Sequence, residues 1–432
     1  MILDDLVERL RSGERIGITS ICSAHPFVIN AAMQAAAEGG YVLVESTCNQ
    51  VNQYGGYTGM TPKGFIQYLE QAAAQAAFPV ERLITGGDHL GPNVWKNEPA
   101  SAAMDKAKVL VRDYVKAGYR KIHLDTSMHC ADDDRSRPLS VETIANRAAA
   151  LAVVAEDALK DAESGCKAYY VIGTEVPTPG GIQGESHTLE PTPPEEVQIT
   201  VDTTRQAFEQ HGVGDAWQRV IAVVAQPGVE FGDAVIFDYD PNAAAPLSRF
   251  IEGCGGLVYE AHSTDYQTPG ALRQLVEDHF AILKVGPALT FAFREAVFAL
   301  EAIEQEIRSL KKSISASNIR HVLDQAMLAH LEYWAPYYQG TEEEQAFARM
   351  YSLSDRSRYY WGEEAVQHAL QVLITNLEQN EIPLTLISQF FPNAFRQIRE
   401  GYMDHSPQAL IRYRINQVLL DYSQACGEML NP

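Results

Sequence analysis

RLITGGD (Arg82–Asp88), AAMDKAKVLVRDYVKAGY (Ala102–Tyr119) and KIHLDTS (Lys121–Ser127) follow one another along the chain. The first and third are short, apolar and β-rich. The second carries apolar residues at helical spacing between lysines and acids. Two such strands joined by a helix make a crossover unit, and crossovers of this kind build parallel sheets with helices on the outside.

Reading outward, the same unit recurs. IGITSIC (Ile16–Cys22), YVLVES (Tyr41–Ser46), AYYVIGTEV (Ala168–Val176), VIAVVAQ (Val220–Gln226), GLVYEAHS (Gly256–Ser263) and AILKVGP (Ala281–Pro287) complete a set of eight strand-like runs. HPFVINAAMQAAAEGG (His25–Gly40) and VETIANRAAALAVVAEDALKDA (Val141–Ala162) are among the helical stretches between them. Eight βα units predict a (β/α)8 barrel over residues 1–300. An open doubly wound sheet is the alternative, but no G-x-G-x-x-G follows the first strand. Past Lys284 the pattern turns helical, and residues 301–432 read as a helical extension packed on the barrel. IPLTLISQFFP and ALIRYRINQVLLDYSQAC look like packed helices within it.

Composition narrows the function. The 432 residues are 46% hydrophobic, enough for a large core, and carry 34 basic against 56 acidic side chains, a balance of −22. That balance disfavours nucleic acid and anionic membrane as general partners. No apolar run reaches the roughly 18 residues of a membrane span. MILDDLVERLRSGERIG at the N-terminus reads as an amphipathic helix, without the order of a signal peptide. Six scattered cysteines without a C-x-x-C pair fit reduced thiols. The expectation is a cytoplasmic protein, with a homo-oligomer left open.

The strand-like runs end in polar and ionisable residues, which a sheet that only packs has no need of. Barrels carry their chemistry at the carboxyl ends of the strands. GGDHLGP (Gly86–Pro92) pairs Asp88 with His89, a proton donor beside a metal ligand. In KIHLDTS, His123 and Asp125 are two apart and share a face. His123 reads as a core or substrate-contacting imidazole and Asp125 as a catalytic acid. Glu175 ends the fifth run, Gln226 the sixth. Glu260 and His262, again two apart, precede Ser263, Thr264 and Asp265. Neutral imidazoles and carboxylates from separate strands suit Zn2+, Mn2+ or Co2+ better than Ca2+. The expected ligands are His89, His262 and Glu175.

LVESTCNQVNQYGGYTGMTP (Leu43–Pro62) offers Glu45, Asn49 and Gln50 to a polyhydroxylated ligand. Lys284 ends the eighth run as a fixed cation for a substrate oxygen. SLSDRSRYYW (Ser352–Trp361) sets Arg356 and Arg358 among aromatics, and guanidinium forks suit phosphate. TEVPTPGGIQGESHTLEPTPPEE (Thr174–Glu196) is a candidate lid.

CSAHPFVI, NQVNQYGGYTGMTP, GGDHLGPN, KIHLDTSM, YVIGTEVPTPGG, YEAHSTDYQTP and SDRSRYYW resemble the Z-type subunit of class II D-tagatose-1,6-bisphosphate aldolase, over nearly the whole chain. That resemblance implies a (β/α)8 barrel in galactitol and tagatose metabolism. It also implies a Y-type aldolase subunit as partner, the Z-type being described as non-catalytic support. Proteins of this kind have also been called tagatose 6-phosphate kinases, but no G-x-x-x-x-G-K-[ST] loop is present. Class II aldolases bind Zn2+ through imidazoles, one directly after the acid of a D-H pair. Asp88-His89 matches that pair, and His262 falls at a seventh-strand ligand position. Lys284 stands where an eighth-strand histidine would complete the aldolase set.

Two functions follow as expectations. One is a metal-dependent retro-aldol/aldol site acting on a ketohexose or its phosphate. It would epimerise fructose 6-phosphate and tagatose 6-phosphate at C4, with Asp88 or Glu175 as base. The other is a chaperone-like subunit whose aromatic-rich extension (Tyr333, Trp334, Tyr337, Tyr338, Tyr359, Tyr360, Trp361) offers contact area to an aldolase.

Overall fold

A computed structural model describes residues 2–37, 39–161, 167–174 and 189–428. Its strands are β1 (Ile18–Ile21), β2 (Val42–Thr47), β3 (Leu83–Leu90), β4 (Lys121–Leu124), β5 (Tyr169–Ile172), β6 (Val220–Val224), β7 (Glu230–Phe231), β8 (Ile236–Phe237), β9 (Val258–Ala261) and β10 (Phe280–Val285). Eight of them close a parallel barrel in the order β1-β10-β9-β6-β5-β4-β3-β2, while β7 and β8 form a small antiparallel hairpin after β6. Pairing of Ile18–Ile21 with Ile282–Val285 seals the ring and excludes the open sheet.

The crossover helices bury one apolar face against the outside of this ring. In the helix Ala100–Ala117 that face is Ala103, Ala107, Leu110, Val111 and Tyr114, at three- and four-residue spacing. A left-handed Gly118 ends the helix, a role glycine fills without steric cost.

Inside the ring, side chains alternate along each strand. Ile18, Leu43, Ile84, Val258 and Ile282 form an apolar layer near the amino ends. The helix Ile2–Arg11 plugs that end with Leu3, Leu6 and Val7, and the Tyr169 hydroxyl donates to Asp4. Two residues further along, the interior becomes charged.

After β10 the helix Pro287–Leu310 runs on, and five helices between Ile319 and Glu400 follow. The helix Pro407–Cys426 then returns to pack on Pro287–Leu310, Pro269–Glu277 and Pro26–Ala35. The segment Ser352–Trp361 is pinned beside the mouth. Arg294 pairs with Asp355 at 3.0 Å, Thr290 donates to Asp355, and the Tyr266 hydroxyl donates to the Leu353 carbonyl. Among the described residues no helix is long and apolar enough to cross a membrane.

Candidate active site

The site begins with a break in β3. Its register against β4 slips between Gly87 and Leu90, and His89 takes a left-handed φ of 48°. Regular alternation would send Asp88 and His89 to opposite faces. The bulge brings both to the mouth. Asp88 reaches His123 Nδ1 at 2.8 Å through one oxygen and Lys284 Nζ at 2.7 Å through the other. His89 Nδ1 lies 2.8 Å from Asp125, whose other oxygen accepts from the Ser127 N–H and hydroxyl.

Beneath this pair lies an alternating charge network. Lys121 Nζ is 2.7 Å from Glu45 and 2.5 Å from Glu260, and Lys284 Nζ is 3.0 Å from Glu45. Gly86 makes room for it, since a Cβ there would sit 2.7 Å from Glu45 Cγ. All these groups are buried. Burial alone would push Asp88 up and lower Lys284, yet neighbouring opposite charges win. His89 and Lys284 hold Asp88 well below the usual carboxylate range, and Asp88 and Glu45 hold Lys284 well above the usual amine range. Against the same desolvation, Lys121 and Lys284 hold Glu260 low, and the hydrogen bond from His89 brings Asp125 to about 2.

Asp88, His123, Glu260 and His262 each offer a ligand atom, all within 4.8 Å of one another. Three observations show that a divalent cation fits. His123 Nε2 is buried and has no hydrogen-bond partner among the described residues, an expensive state for a lone pair or a proton. Burial holds His262 down to about 3, so its ring is neutral and able to ligate. Formal charge points the same way: Glu45, Asp88, Asp125 and Glu260 outnumber Lys121 and Lys284 by two, and with His89, whose pKa its two carboxylate neighbours raise, carrying a proton, the cluster still keeps a net negative charge. His89, His123 and His262 crowd together here, with ring centroids 4.9–5.4 Å apart.

A narrow well of about 110 Å³ opens above the cluster, walled by Asn49, Gln50, His89, Ser263, Asp265 and Arg358. It adjoins a roomier cavity of about 640 Å³ between barrel and extension, with His25, Tyr57, Tyr68, Tyr359 and Trp361 on its walls. The structure thus gathers Glu45, Asn49, Gln50, Asp88, His89, His123, Asp125, His262, Ser263, Lys284 and Arg358 at one end of the barrel. His123, expected as a substrate contact, joins the candidate ligand set, whereas His89 stands beside it, held by Asp125.

Three expected contacts point elsewhere. The Gln226 side-chain oxygen accepts from the Gly228 and Val229 N–H groups and so serves its own turn. Thr264 donates to the Lys284 carbonyl at 2.7 Å and meets the Tyr422 hydroxyl. Arg356 stays within the extension, donating to the Tyr333 carbonyl and stacking on Tyr337. Glu175 and most of the candidate lid lie outside the described residues. Sequence reasoning missed Lys121, although it stands two residues before His123 and shares its face.

A closed parallel barrel with carboxylates, imidazoles and lysines converging inside its carboxyl-end mouth defines a (β/α)8 protein with the makings of a divalent-metal site. The chain belongs to the D-tagatose-1,6-bisphosphate aldolase subunit GatZ/KbaZ-like family, which matches it over residues 3–427. It is similar to a crystal structure described as a "probable tagatose 6 phosphate kinase" from Sinorhizobium meliloti 1021. The two share 46% identity and a TM-score of 0.86, over 95% of this chain and 100% of that one. A fructuronate-tagaturonate epimerase from Cohnella laeviribosi aligns at 13% identity and a TM-score of 0.48, over 96% of this chain and 82% of its own. A fructose-bisphosphate aldolase from Campylobacter jejuni aligns at 14% and 0.43, over 87% and 92%.

Proposed function

We propose that this chain is a metal-dependent ketohexose-phosphate 4-epimerase, interconverting fructose 6-phosphate and tagatose 6-phosphate by a retro-aldol and an aldol step. The observation that carries this reading is the convergence of Asp88, His123, Glu260 and His262 beside a lysine and a second imidazole–acid pair. His123, Glu260 and His262 would hold the ion. A bound divalent cation, Zn2+ or else Mn2+ or Co2+, supplies Lewis-acid polarisation of the ketose oxygens.

Asp88, kept ionised by Lys284 at 2.7 Å, takes the proton of the C4 hydroxyl. The C3–C4 bond breaks and its electron pair passes to the C2 carbonyl oxygen, leaving a three-carbon enediolate and glyceraldehyde 3-phosphate. The Lys284 ammonium faces the developing negative charge. Asp125 fixes the His89 ring so that it can donate to a substrate oxygen. Burial of the cluster keeps water from quenching the enediolate. If the aldehyde presents its other face before the enediolate carbon re-forms the C3–C4 bond, Asp88 returns the proton to the alkoxide oxygen on an inverted C4. Arg358, at the junction of well and cavity, suits the phosphoryl group. To test this, the metal-loaded protein is incubated alone with fructose 6-phosphate and C4-epimer formation is followed. Turnover no higher than in His89→Ala or His262→Ala ends the reading.

A second role, as the partner that stabilises a Y-type aldolase subunit, is supported by membership of a family of aldolase subunits. The aromatics that the sequence offered for it are largely internal: Trp334, Tyr338, Tyr360 and Trp361 are buried. Phe347, Tyr351 and Leu331 on the extension are exposed instead. Co-purification with a Y-type subunit and a rise in that subunit's Tm would support it. Lack of a complex at micromolar concentration would count against it.

A further inference from the structure

In βα barrels a phosphoryl group commonly sits on backbone N–H groups after the seventh and eighth strands, at the start of a helix. Here the corresponding place is the start of the helix Pro287–Leu310, after the eighth barrel strand, and it is already filled from within. Asp265 Oδ1 accepts from the N–H groups of Gly286 at 3.0 Å and Ala288 at 2.8 Å. Pro287 between them has no N–H. The next two N–H groups, of Leu289 and Thr290, donate to the Gly286 carbonyl. The donors of the first turn are therefore spent, and a buried carboxylate stands where an anion would seat.

The cations of the mouth are also mostly committed. Lys121 and Lys284 are paired with Glu45, Glu260 and Asp88. Arg358 differs. It donates to the Ser354 and Asp355 carbonyls and to the Tyr359 hydroxyl, and is ion-paired with no carboxylate among the described residues. Asp265 lies buried in the wall of the same well as Arg358, and its charge adds to the cost of ionising the buried Glu230 nearby. Residues 175–188 contain no lysine or arginine that could add a second cationic anchor.

We infer that the mouth accepts a ketose carrying one phosphoryl group, at Arg358, and rejects one carrying two, with Asp265 as the residue that enforces the choice. The ketose end that points toward the eighth strand is then an unmodified hydroxymethyl group. A second phosphoryl there would meet a like charge in a water-poor site and find no free donor. The inference takes the sugar class from the function proposed above, but its test reads binding and not turnover.

Calorimetric titration of the manganese-loaded protein compares fructose, fructose 6-phosphate and fructose 1,6-bisphosphate. It is done at pH 8, where Asp265, pushed up to about 6 by burial, is ionised. Fructose 6-phosphate binds at least tenfold more tightly than either of the others. Asp265→Asn keeps an acceptor for both N–H groups and removes the charge, so the affinity of the bisphosphate relative to the monophosphate rises at least fivefold. Arg358→Gln brings fructose 6-phosphate down to the affinity of fructose. Bisphosphate binding as tightly as monophosphate to the unaltered protein overturns the inference, as does a ratio unmoved in Asp265→Asn. If that variant does not fold, the ratio in the unaltered protein decides alone. Selective binding without C4 epimerisation would sink the epimerase reading and leave this one standing. No preference for any phosphate ester over fructose would sink this one whatever the turnover.

Discussion

Ile18, Leu43, Ile84, Val258 and Ile282 stand two residues below Ser20, Glu45, Gly86, Glu260 and Lys284 on the same five strands. The lower set is an apolar layer closed by a helical plug. The upper set, with Lys121, Asp88 and the three imidazoles, is charged and equally buried. Both layers obey the same two-residue alternation, so the backbone treats them alike. They differ in what holds them. The lower layer gains from removal of apolar surface from water, and its parts are interchangeable within limits of volume. In the upper layer every charge is stable only because of a particular neighbour, so one deletion leaves another group stranded.

The largest expected effect comes from Lys121. It is shared by Glu45 and Glu260 and is buried. Lys121→Met leaves two buried carboxylates without their common cation and should cost about 3–5 kcal/mol, seen as a large fall in Tm or in soluble yield. Adding Glu260→Gln should restore part of that loss. A single variant as stable as the unaltered protein would show that the upper layer tolerates stranded charge, and the contrast between layers would fail.

Cation binding comes next. Saturation at a hundredfold excess over Kd stabilises a protein by about 3 kcal/mol. Zn2+ or Mn2+ added to chelator-treated protein should therefore raise Tm by several degrees, with about one ion bound per chain by elemental analysis. His123→Ala and His262→Ala should abolish both readouts. If they keep the ion, the ligand set is wrong even though the fold is right.

Gly86→Ala tests the steric side of the same layer. The new Cβ would lie 2.7 Å from Glu45 Cγ, which Lys121 and Lys284 hold in place. A loss of about 1–3 kcal/mol is expected, together with weakened cation binding. Ile282→Val in the lower layer is the counterpart: about 1 kcal/mol in denaturant unfolding and no change in cation affinity.

How much of this contrast the sequence discloses follows from the same physics. The barrel shows because eight apolar runs separated by amphipathic helices have few other ways to bury themselves. Strand-end residues such as Asp88, His123 and His262 show because a polar group closing an apolar run is conspicuous. Lys121 does not, because it opens its run and reads like a solvated flank. Only the depth of β4 within the ring makes it internal. Arg356 and Arg358 are equivalent on paper, and a single 3-10 turn over Arg356–Tyr359 turns one into the extension and the other into the cleft. The β3 bulge that rescues His89 from the helix layer has no pattern of its own in GGDHL beyond its glycines. The cluster of aromatics near Tyr360 cannot be assigned to core or surface by composition, since aromatic rings serve both.

The smallest effect lies at the plugged end and probes whether ionisable groups there behave like those of the mouth. The Glu428 carboxylate accepts from the Thr19 N–H at 2.7 Å and the Thr19 hydroxyl at 2.9 Å, yet burial pushes it up to about 7 from an ordinary 4.5. No cation pairs with it among the described residues, unlike the carboxylates above. Below pH 4.5 both folded and unfolded chains are protonated there. Between 4.5 and 7 the unfolded chain ionises first, so stability falls as pH rises through that window, and above it the loss is complete. Glu428→Gln keeps an acceptor for the Thr19 N–H and cannot ionise. Its Tm should match the unaltered protein at pH 4.5 and exceed it by about 2 °C at pH 8, a gain below about 1 kcal/mol because the residue is only partly shielded. A gap that is constant with pH, or that closes as pH rises, would mean that Glu428 is paired in solution and that the two ends of the barrel handle charge alike.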